Sequence, residues 1–446
     1  MKVTPNPLTN CSILILIFSL NRREKQNWCW SLFNGIGIIC SVIFGVILLL
    51  NGASPVDAAV VKVEKTDIGW QLLVDGQPFI IKGVCYTPVK VGEDPEDLTM
   101  RDWMIVDDNN DGIIDSAYQS WVDYDRNNKK DSDEPAVGDF KLIKDMGANT
   151  IRLYHHSSSN PKIQSLSRNN PLFDHAPNKK LLRDLHQKYG LWFAMGDFLG
   201  AHTIGSGATW EKGTDYTDPV QRKNMMRSVE DLINTFKDEP YVLFWTIGNE
   251  NNRADMSRTN AQFHPEEYAK FVNEVAKRIH ELDPNHPVAL INGETTMLDM
   301  YRRYAPAVDI IGINTYFYFP GGFGSLWRDI DKLYDKPVFV EYKNAHPTIQ
   351  GGSLDEIIDY RLHVESWRDI IRHTAGKSQP GNAIGGFKFQ WLDTWWTDWD
   401  PAFQNLAKDG WHGEYHGIAS QGDGHNSLFI RQLRHVYYAY QEIWKD

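Results

Sequence analysis

Two short apolar runs, WQLLV and PFII, flank Asp75 and Gly76 within residues 70–81. That pair tolerates the positive φ angles of a type I′ turn, so the pattern predicts a β-hairpin. Beyond it, short apolar segments recur with amphipathic or polar sequence between them. Eight read as strands: Phe79–Tyr86, Thr150–Tyr154, Leu191–Met195, Val242–Ile247, Pro287–Ile291, Ile310–Asn314, Pro337–Val340 and Gly386–Trp391. Val220–Phe236 and Pro265–Leu282 read as amphipathic helices, the second stopping just before Asp283 and Pro284, as helices tend to. Strands that are apolar nearly throughout, alternating with helices, predict a parallel sheet buried on both faces. Eight such units in about 360 residues fit a closed (β/α)₈ barrel better than an open doubly wound sheet. No Gly-x-Gly-x-x-Gly follows the first strand, so a dinucleotide-binding fold gains no support. The expected fold class is α/β: a TIM barrel over residues 59–446, with a short N-terminal hairpin and an acidic insertion at 102–135 after the first strand.

Residues 1–58 follow a different pattern. An apolar stretch at 11–20 precedes Arg22, Arg23 and Lys25, and an uncharged run from Gly35 to Leu50 follows. Val56 and Ala58 then stand three and one positions before a cut ahead of Ala59. Positive charge, apolar core and small-residue exit is the order of a secretory signal peptide. The apolar run is shorter than the roughly 20 residues of a spanning helix. The stretch ahead of it is long for a signal, which keeps an uncleaved membrane anchor open as the alternative. The expected location is secreted, periplasmic or cell-surface, with membrane contact only through this segment. Cys11, Cys29 and Cys40 lie in it, so Cys85 is alone in the body and no internal disulfide is expected there.

Charge narrows the partners. With 46 Lys and Arg against 58 Asp and Glu the formal charge is -12. Removing residues 1–58, with four basic and two acidic side chains, leaves 42 basic and 56 acidic, or -14. Sequence-independent nucleic-acid binding needs a basic face, so it is not expected. The 12% aromatic share, with 16 Trp, makes ring stacking on a ligand a candidate interaction.

In a barrel of this kind the catalytic side chains sit at the C-terminal ends of the strands. Arg152 lies in the second strand, with His155 and His156 past it, and Asp197 follows the third. Asn249, Glu250 and Asn251 follow the fourth, Asn314 and Tyr316 end the sixth, and Glu341 and Tyr342 follow the seventh. Past the eighth come Trp391, Asp393, Trp395 and Trp396. Two carboxylates with amides, aromatics and an arginine at one mouth form a sugar-hydrolysing constellation, because a pair of acids can divide proton transfer and nucleophilic attack between them. His155, Asp197, Trp391 and Trp395 are taken with them as candidate sugar contacts. No third ligand at metal spacing accompanies the two histidines.

The segments WTIGNEN (Trp245–Asn251) and KPVFVEYKNA, with a glutamate ending each of strands four and seven, resemble the retaining glycosidase superfamily of (β/α)₈ barrels. That group includes the β-galactosidase, β-glucuronidase and β-mannosidase family, cellulases and β-1,3-glucanosyltransferases. The resemblance covers roughly residues 79–440, and the ending GIASQGDGHNSLFIRQLRHVYYAYQEIW is similar to the way barrels of the galactosidase type close. It implies Glu250 as acid/base, Glu341 as nucleophile, Asn249 on the sugar 2-hydroxyl, Tyr316 as a hydrogen-bond partner of the nucleophile and Arg152 as its support. Lys343 stands where that pattern has glycine, and β-sandwich domains ahead of the barrel have no counterpart, which argues against a typical β-galactosidase. PFIIKGVCYTP is similar to the start of glucanosyltransferases.

The insertion carries a separate signal. Asp107, Asn109, Asp111, Gly112 and Asp115 occupy positions 1, 3, 5, 6 and 9 of a calcium loop, with Tyr118 where the twelfth-position acid belongs. Asp123, Asp125, Asn127, Asp131 and Glu134 occupy positions 1, 3, 5, 9 and 12 of a second, with Asn128 in place of glycine. Bound Ca²⁺ would be structural, and no catalytic cofactor is expected. The leading expectation is an exported retaining β-glycosidase acting on an oligo- or polysaccharide. The alternatives are a glucan transglycosylase using the same glutamates and a catalytically inactive carbohydrate-binding barrel.

Overall fold

The hairpin forms where the pattern places it. Gly69–Val74 turns at Asp75 and Gly76, both with positive φ, into Gln77–Phe79, and Val61–Thr66 adds an antiparallel third strand that the apolar pattern did not single out. The computed structural model describes residues 58–446 other than 96, 98, 159–161, 163–173, 316–320, 343–348, 351–352, 355, 398–399, 405–412, 426 and 446. The proposed leader up to Asp57, Tyr316, and Trp399, a further candidate for stacking on a sugar face, therefore lie outside the described residues. No described helix is long and apolar enough to cross a membrane.

Eight parallel strands close into a barrel. In chain order they are Ile81–Cys85, Thr150–Leu153, Trp192–Asp197, Val242–Ile247, Val288–Gly293, Ile310–Thr315, Val338–Tyr342 and Ala383–Lys388, and the eighth pairs with the first. All eight expected strands are present. The eighth begins three residues earlier than its apolar run implied and ends at Lys388, leaving Trp391 outside it. Helices Pro219–Phe236 and Pro265–Leu282 match their expected bounds. Each begins with proline at its first position, where a missing N–H is harmless. Asp218 caps the former by accepting from the N–H groups of Val220 and Gln221.

Side chains alternate between the barrel interior and the helix layer, as period two requires. Phe244, Phe339 and Phe387 meet inside, with Phe339 and Phe387 centroids 5.2 Å apart. Glycine makes room for them: a Cβ on Gly83 would stand 2.3 Å from the Phe387 ring, and one on Gly312 2.4 Å from Phe339. Val338, Val340 and Tyr342 face outward and join the larger core beneath the helices.

The insertion after the first strand is tied to the C-terminal segment. Its strand Trp121–Val122 pairs in parallel with Ile430–Leu433. Arg431, 1% exposed, donates from Nε and Nη2 to the two oxygens of fully buried Asp139 at 2.6 and 3.0 Å, and Tyr86 donates to the same carboxylate. Removing one member of a buried pair strands the other charge. Arg431→Met is expected to lower unfolding free energy by about 3–5 kcal/mol, read by chemical denaturation. A loss below about 1 kcal/mol would remove this pair from the fold's main supports.

Lys388 points out of the barrel into a dry layer, where its Nζ donates to the carbonyls of Phe389 and His416. Burial, opposed in part by the Asp359 carboxylate, brings its pKa down to about 7. The unfolded chain keeps that proton up to pH about 10.4. Between those limits the unfolded state binds more protons, so this group makes stability rise with pH. Compared with Lys388→Met, the native protein should gain roughly 1.4 kcal/mol per pH unit between pH 7 and 9. A difference that does not vary with pH would refute the assignment.

Candidate active site

Strand parity decides which residues reach the mouth. On the first strand Ile81, Gly83 and Cys85 face inward. On the second Arg152 does, followed by Tyr154, and on the sixth and seventh Asn314 and Glu341 do. Cross-strand register sets Cys85 beside Arg152 and Asn314 beside Glu341. Cys85, Arg152, Tyr154, Asn314 and Glu341 are each at most 5% exposed.

Glu341 is the centre of this cluster. Arg152 Nη1 donates to its Oε2, Tyr154 OH to Oε1 at 2.6 Å, and Cys85 Sγ to Oε2 at 3.2 Å. Burial pushes the Cys85 thiol and the Tyr154 phenol well up, and the Glu341 carboxylate adds to both shifts, so both remain protonated donors near neutrality. For Arg152 burial works against the charge, but the Glu341 carboxylate outweighs it and holds the guanidinium above its ordinary range. Arg152 also lies over the Tyr154 ring, 4.1 Å from its centroid.

The fourth strand ends in a bend that presents Asn249 and Glu250. Gly248 and Glu250 both have positive φ, 74° and 58°. A Cβ on Gly248 would stand 2.7 Å from Asn251 Oδ1, so only glycine fits without displacement. Asn251 accepts from the Asn249 N–H at 2.6 Å and donates to the carbonyls of Phe198 and Leu199, fixing the bend to the loop after strand three. Ser257 Oγ donates to the carbonyls of Asn249 and Glu250.

From there the network is continuous. Arg152 Nη2 donates to Asn249 Oδ1 at 2.9 Å. Asn314 Nδ2 reaches the same oxygen at 3.2 Å and Glu250 Oε1 at 2.8 Å. The two glutamates, 91 positions apart in sequence, are thus linked through one arginine and two amides. Among the described residues Arg152 Nε and Asn314 Oδ1 are buried without a hydrogen-bond partner, which leaves a donor and an acceptor beside the carboxylates.

Other expected contacts lie elsewhere. Asp197 is the last residue of strand three, not a residue past it, and its parity turns it outward. Its Oδ1 accepts from the Leu199 N–H and its Oδ2 from Ser228 Oγ of helix Pro219–Phe236. His155 turns the same way, stacked on Phe198 and 3.7 Å from Asp197. Trp391 is fully buried in the outer core near Tyr437. These three support the mouth from behind instead of facing a ligand, because an outward side chain meets the helix layer. Trp395 is 5% exposed in the segment after strand eight. Tyr316, expected to bond the nucleophile, is outside the described residues, and the phenol found on Glu341 is Tyr154. Sequence reasoning missed Tyr154 and Cys85, although each shares the parity of a neighbour already known to face inward.

Residues 162–357 match the family model described as glycosyl hydrolases family 2, TIM barrel domain, a stretch that holds both glutamates. The β-glucuronidase of Chlorocebus aethiops is 23% identical over 215 residues, 48% of this chain and 26% of that protein. The β-D-glucuronidase structure from Dictyoglomus thermophilum superposes with a TM-score of 0.51 at 17% identity, covering 87% of this chain and 54% of that one. The Bifidobacterium dentium β-glucuronidase, complexed with coumarin-3-O-glucuronide, gives 0.52 at 17% identity over 86% and 49%. The resemblance read from the strand-end motifs is thereby matched, and so is the barrel. The chain spans about a quarter of the sequence relative's length and half that of the solved structures.

Removing the Tyr154 hydroxyl deletes a hydrogen bond to a buried carboxylate, an interaction of roughly 1.5–3 kcal/mol. Tyr154→Phe should keep the fold by circular dichroism and lower kcat/KM on any accepted glycoside by about 10- to 100-fold. Unchanged kinetics would mean that the bond has no part in turnover.

Proposed function

We propose that the protein is an exported retaining β-glycosidase. The observation that carries this reading is the network running from Glu341 through Arg152, Asn249 and Asn314 to Glu250. Two carboxylates held at one mouth in unlike surroundings can divide the two roles of double displacement. Glu341 attacks the anomeric carbon while Glu250 gives its proton to the leaving oxygen, so the glycosidic C–O bond breaks as the Glu341–carbon bond forms. Water then attacks the same carbon, Glu250 takes its proton, and Glu341 leaves. Arg152 and Tyr154 orient the nucleophile, and Asn249 and Asn314 are placed to meet sugar hydroxyls. Export rests on the charge, apolar run and small-residue exit of residues 1–58. The β-glucuronidase relatives put β-glucuronides first among sugars to try, beside neutral β-hexosides, which the acidic body disfavours less.

Glu250→Ala and Glu341→Ala should each lower turnover of an aryl β-glycoside by at least about 10²–10⁴-fold. Azide separates the roles. It should replace the missing nucleophile of Glu341→Ala and give the α-glycosyl azide, whereas Glu250→Ala should give the β-anomer from the intact glycosyl-enzyme. The opposite pairing of anomer and variant would reverse the assignment. Sugar binding without turnover in the native protein would favour an inactive carbohydrate-binding barrel, and products lengthened by an added acceptor sugar would favour transglycosylation.

A further inference from the structure

The insertion between the first and second barrel strands brings Asp107, Asp111 and Asp115 together. One carboxylate oxygen of each lies within 4.8 Å of the other two. Asp115 is fully buried, its Oδ2 accepts from the Asp108 N–H at 2.6 Å, and its Oδ1 has no hydrogen-bond partner. A buried carboxylate with one oxygen unbonded, set among two further carboxylates, is unfavourable twice over, through lost solvation and through repulsion. A bound cation reverses both effects. Main-chain N–H groups already hold the outer carboxylates: Asp111 and Gly112 donate to Asp107, and Ile113 donates to Asp111.

We propose that this loop binds one Ca²⁺ through Asp107, Asn109, Asp111 and Asp115, with the Ile113 carbonyl at the seventh position. The donors are all oxygen and come from several carboxylates, an amide and a main-chain carbonyl, which suits the many-ligand, flexible coordination of Ca²⁺ better than the strict octahedron of Mg²⁺. At the twelfth position Tyr118 supplies no acid and its hydroxyl is bonded to Asp184. Water completes the shell, and the affinity belongs in the weak range, on the order of 10⁻⁴ M. The ion sets the path of the chain just ahead of Trp121–Val122, the strand that pairs with the C-terminal segment. In the second loop Asp123, Asp125 and Glu134 also converge. In both loops N–H groups donate to the acids, but among the described residues only the first has a buried carboxylate oxygen without a hydrogen-bond partner, Asp115 Oδ1; both oxygens of buried Asp123 and of buried Glu134 are bonded.

The test is calorimetric titration of the chelator-stripped full chain with CaCl₂, with MgCl₂ as a parallel arm. Asp111→Asn, an exposed position, and Asp107→Asn alter the first loop, and Asp125→Asn alters the second. Circular dichroism reports the fold of each. The expected result is sub-millimolar Ca²⁺ binding, at least tenfold tighter than Mg²⁺, with a melting temperature that rises by a few degrees in Ca²⁺. Each first-loop variant should remove one equivalent of bound Ca²⁺ or weaken it at least tenfold, and Asp125→Asn should leave that equivalent in place. No Ca²⁺ binding up to about 10 mM by the native chain overturns the proposal, since even the weakest loop sites bind at about 10⁻³ M. Native-like binding by folded Asp111→Asn overturns it as well.

Discussion

A charged carboxylate placed inside a barrel is the constraint around which this structure is arranged. Glu341 is 5% exposed, and an isolated buried carboxylate is among the most unfavourable groups a fold can contain. Arg152 meets the charge directly, while Tyr154 and Cys85 supply neutral donors to the remaining oxygen sites. Replacing such a pair with packed apolar groups is often neutral or stabilising, whereas breaking it strands a charge. The pair is therefore explained by what it does at the mouth and not by what it adds to stability. Arg152 also reaches Asn249, so the side chain that compensates one glutamate positions the strand end that carries the other.

The barrel meets this constraint through parity. A parallel strand that ends at the mouth shows alternate residues to the interior, so one register choice fixes every residue on that face. Below the mouth the interior closes with Phe244, Phe339 and Phe387, for which Gly83 and Gly312 leave room. This apolar plug keeps water from beneath the ion pair, which strengthens each of its hydrogen bonds. The helix layer works from the other side. Asp197 and His155 tie strands two and three to Ser228 and Phe198, and Asn251 ties the Glu250 bend to the same loop. Residues that face away from a ligand thus hold the residues that face it.

The strand-end reasoning reached most of this and failed in a consistent way. Eight apolar runs, the Asp75–Gly76 turn and two helices were legible because burial on both strand faces and helix starts at proline leave plain marks. Glu250, Glu341, Arg152, Asn249 and Asn314 were legible because their chemistry is unusual at the ends of apolar runs. Asp197, His155 and Trp391 were misplaced because position past a strand was used without asking which way each side chain turns. Parity excludes Asp197 and admits Tyr154 and Cys85. The eighth strand was read from Gly386, which left Gly385 outside it, although both glycines lie within Ala383–Lys388. In the fold they sit where Ile81 and Val340 of the flanking strands approach, and a Cβ on Gly385 would stand 2.3 Å from the Ile81 carbonyl oxygen.

The surroundings of the two glutamates also argue for their roles without reference to any relative. Glu341 receives a guanidinium, a phenol and a thiol. Those groups satisfy an anion and leave it little freedom to move, which suits an atom that must attack along one direction. Glu250 Oε1 accepts an amide N–H from Asn314. Glu250 stands at a positive-φ position, held by Ser257 on its carbonyl and by its own N–H, which donates to the Ile291 carbonyl of strand five. Arg152 therefore does more than meet the charge of Glu341: it bonds that carboxylate directly and, through Asn249 and Asn314, joins it to Glu250, so one side chain ties together the strand ends that carry both acids.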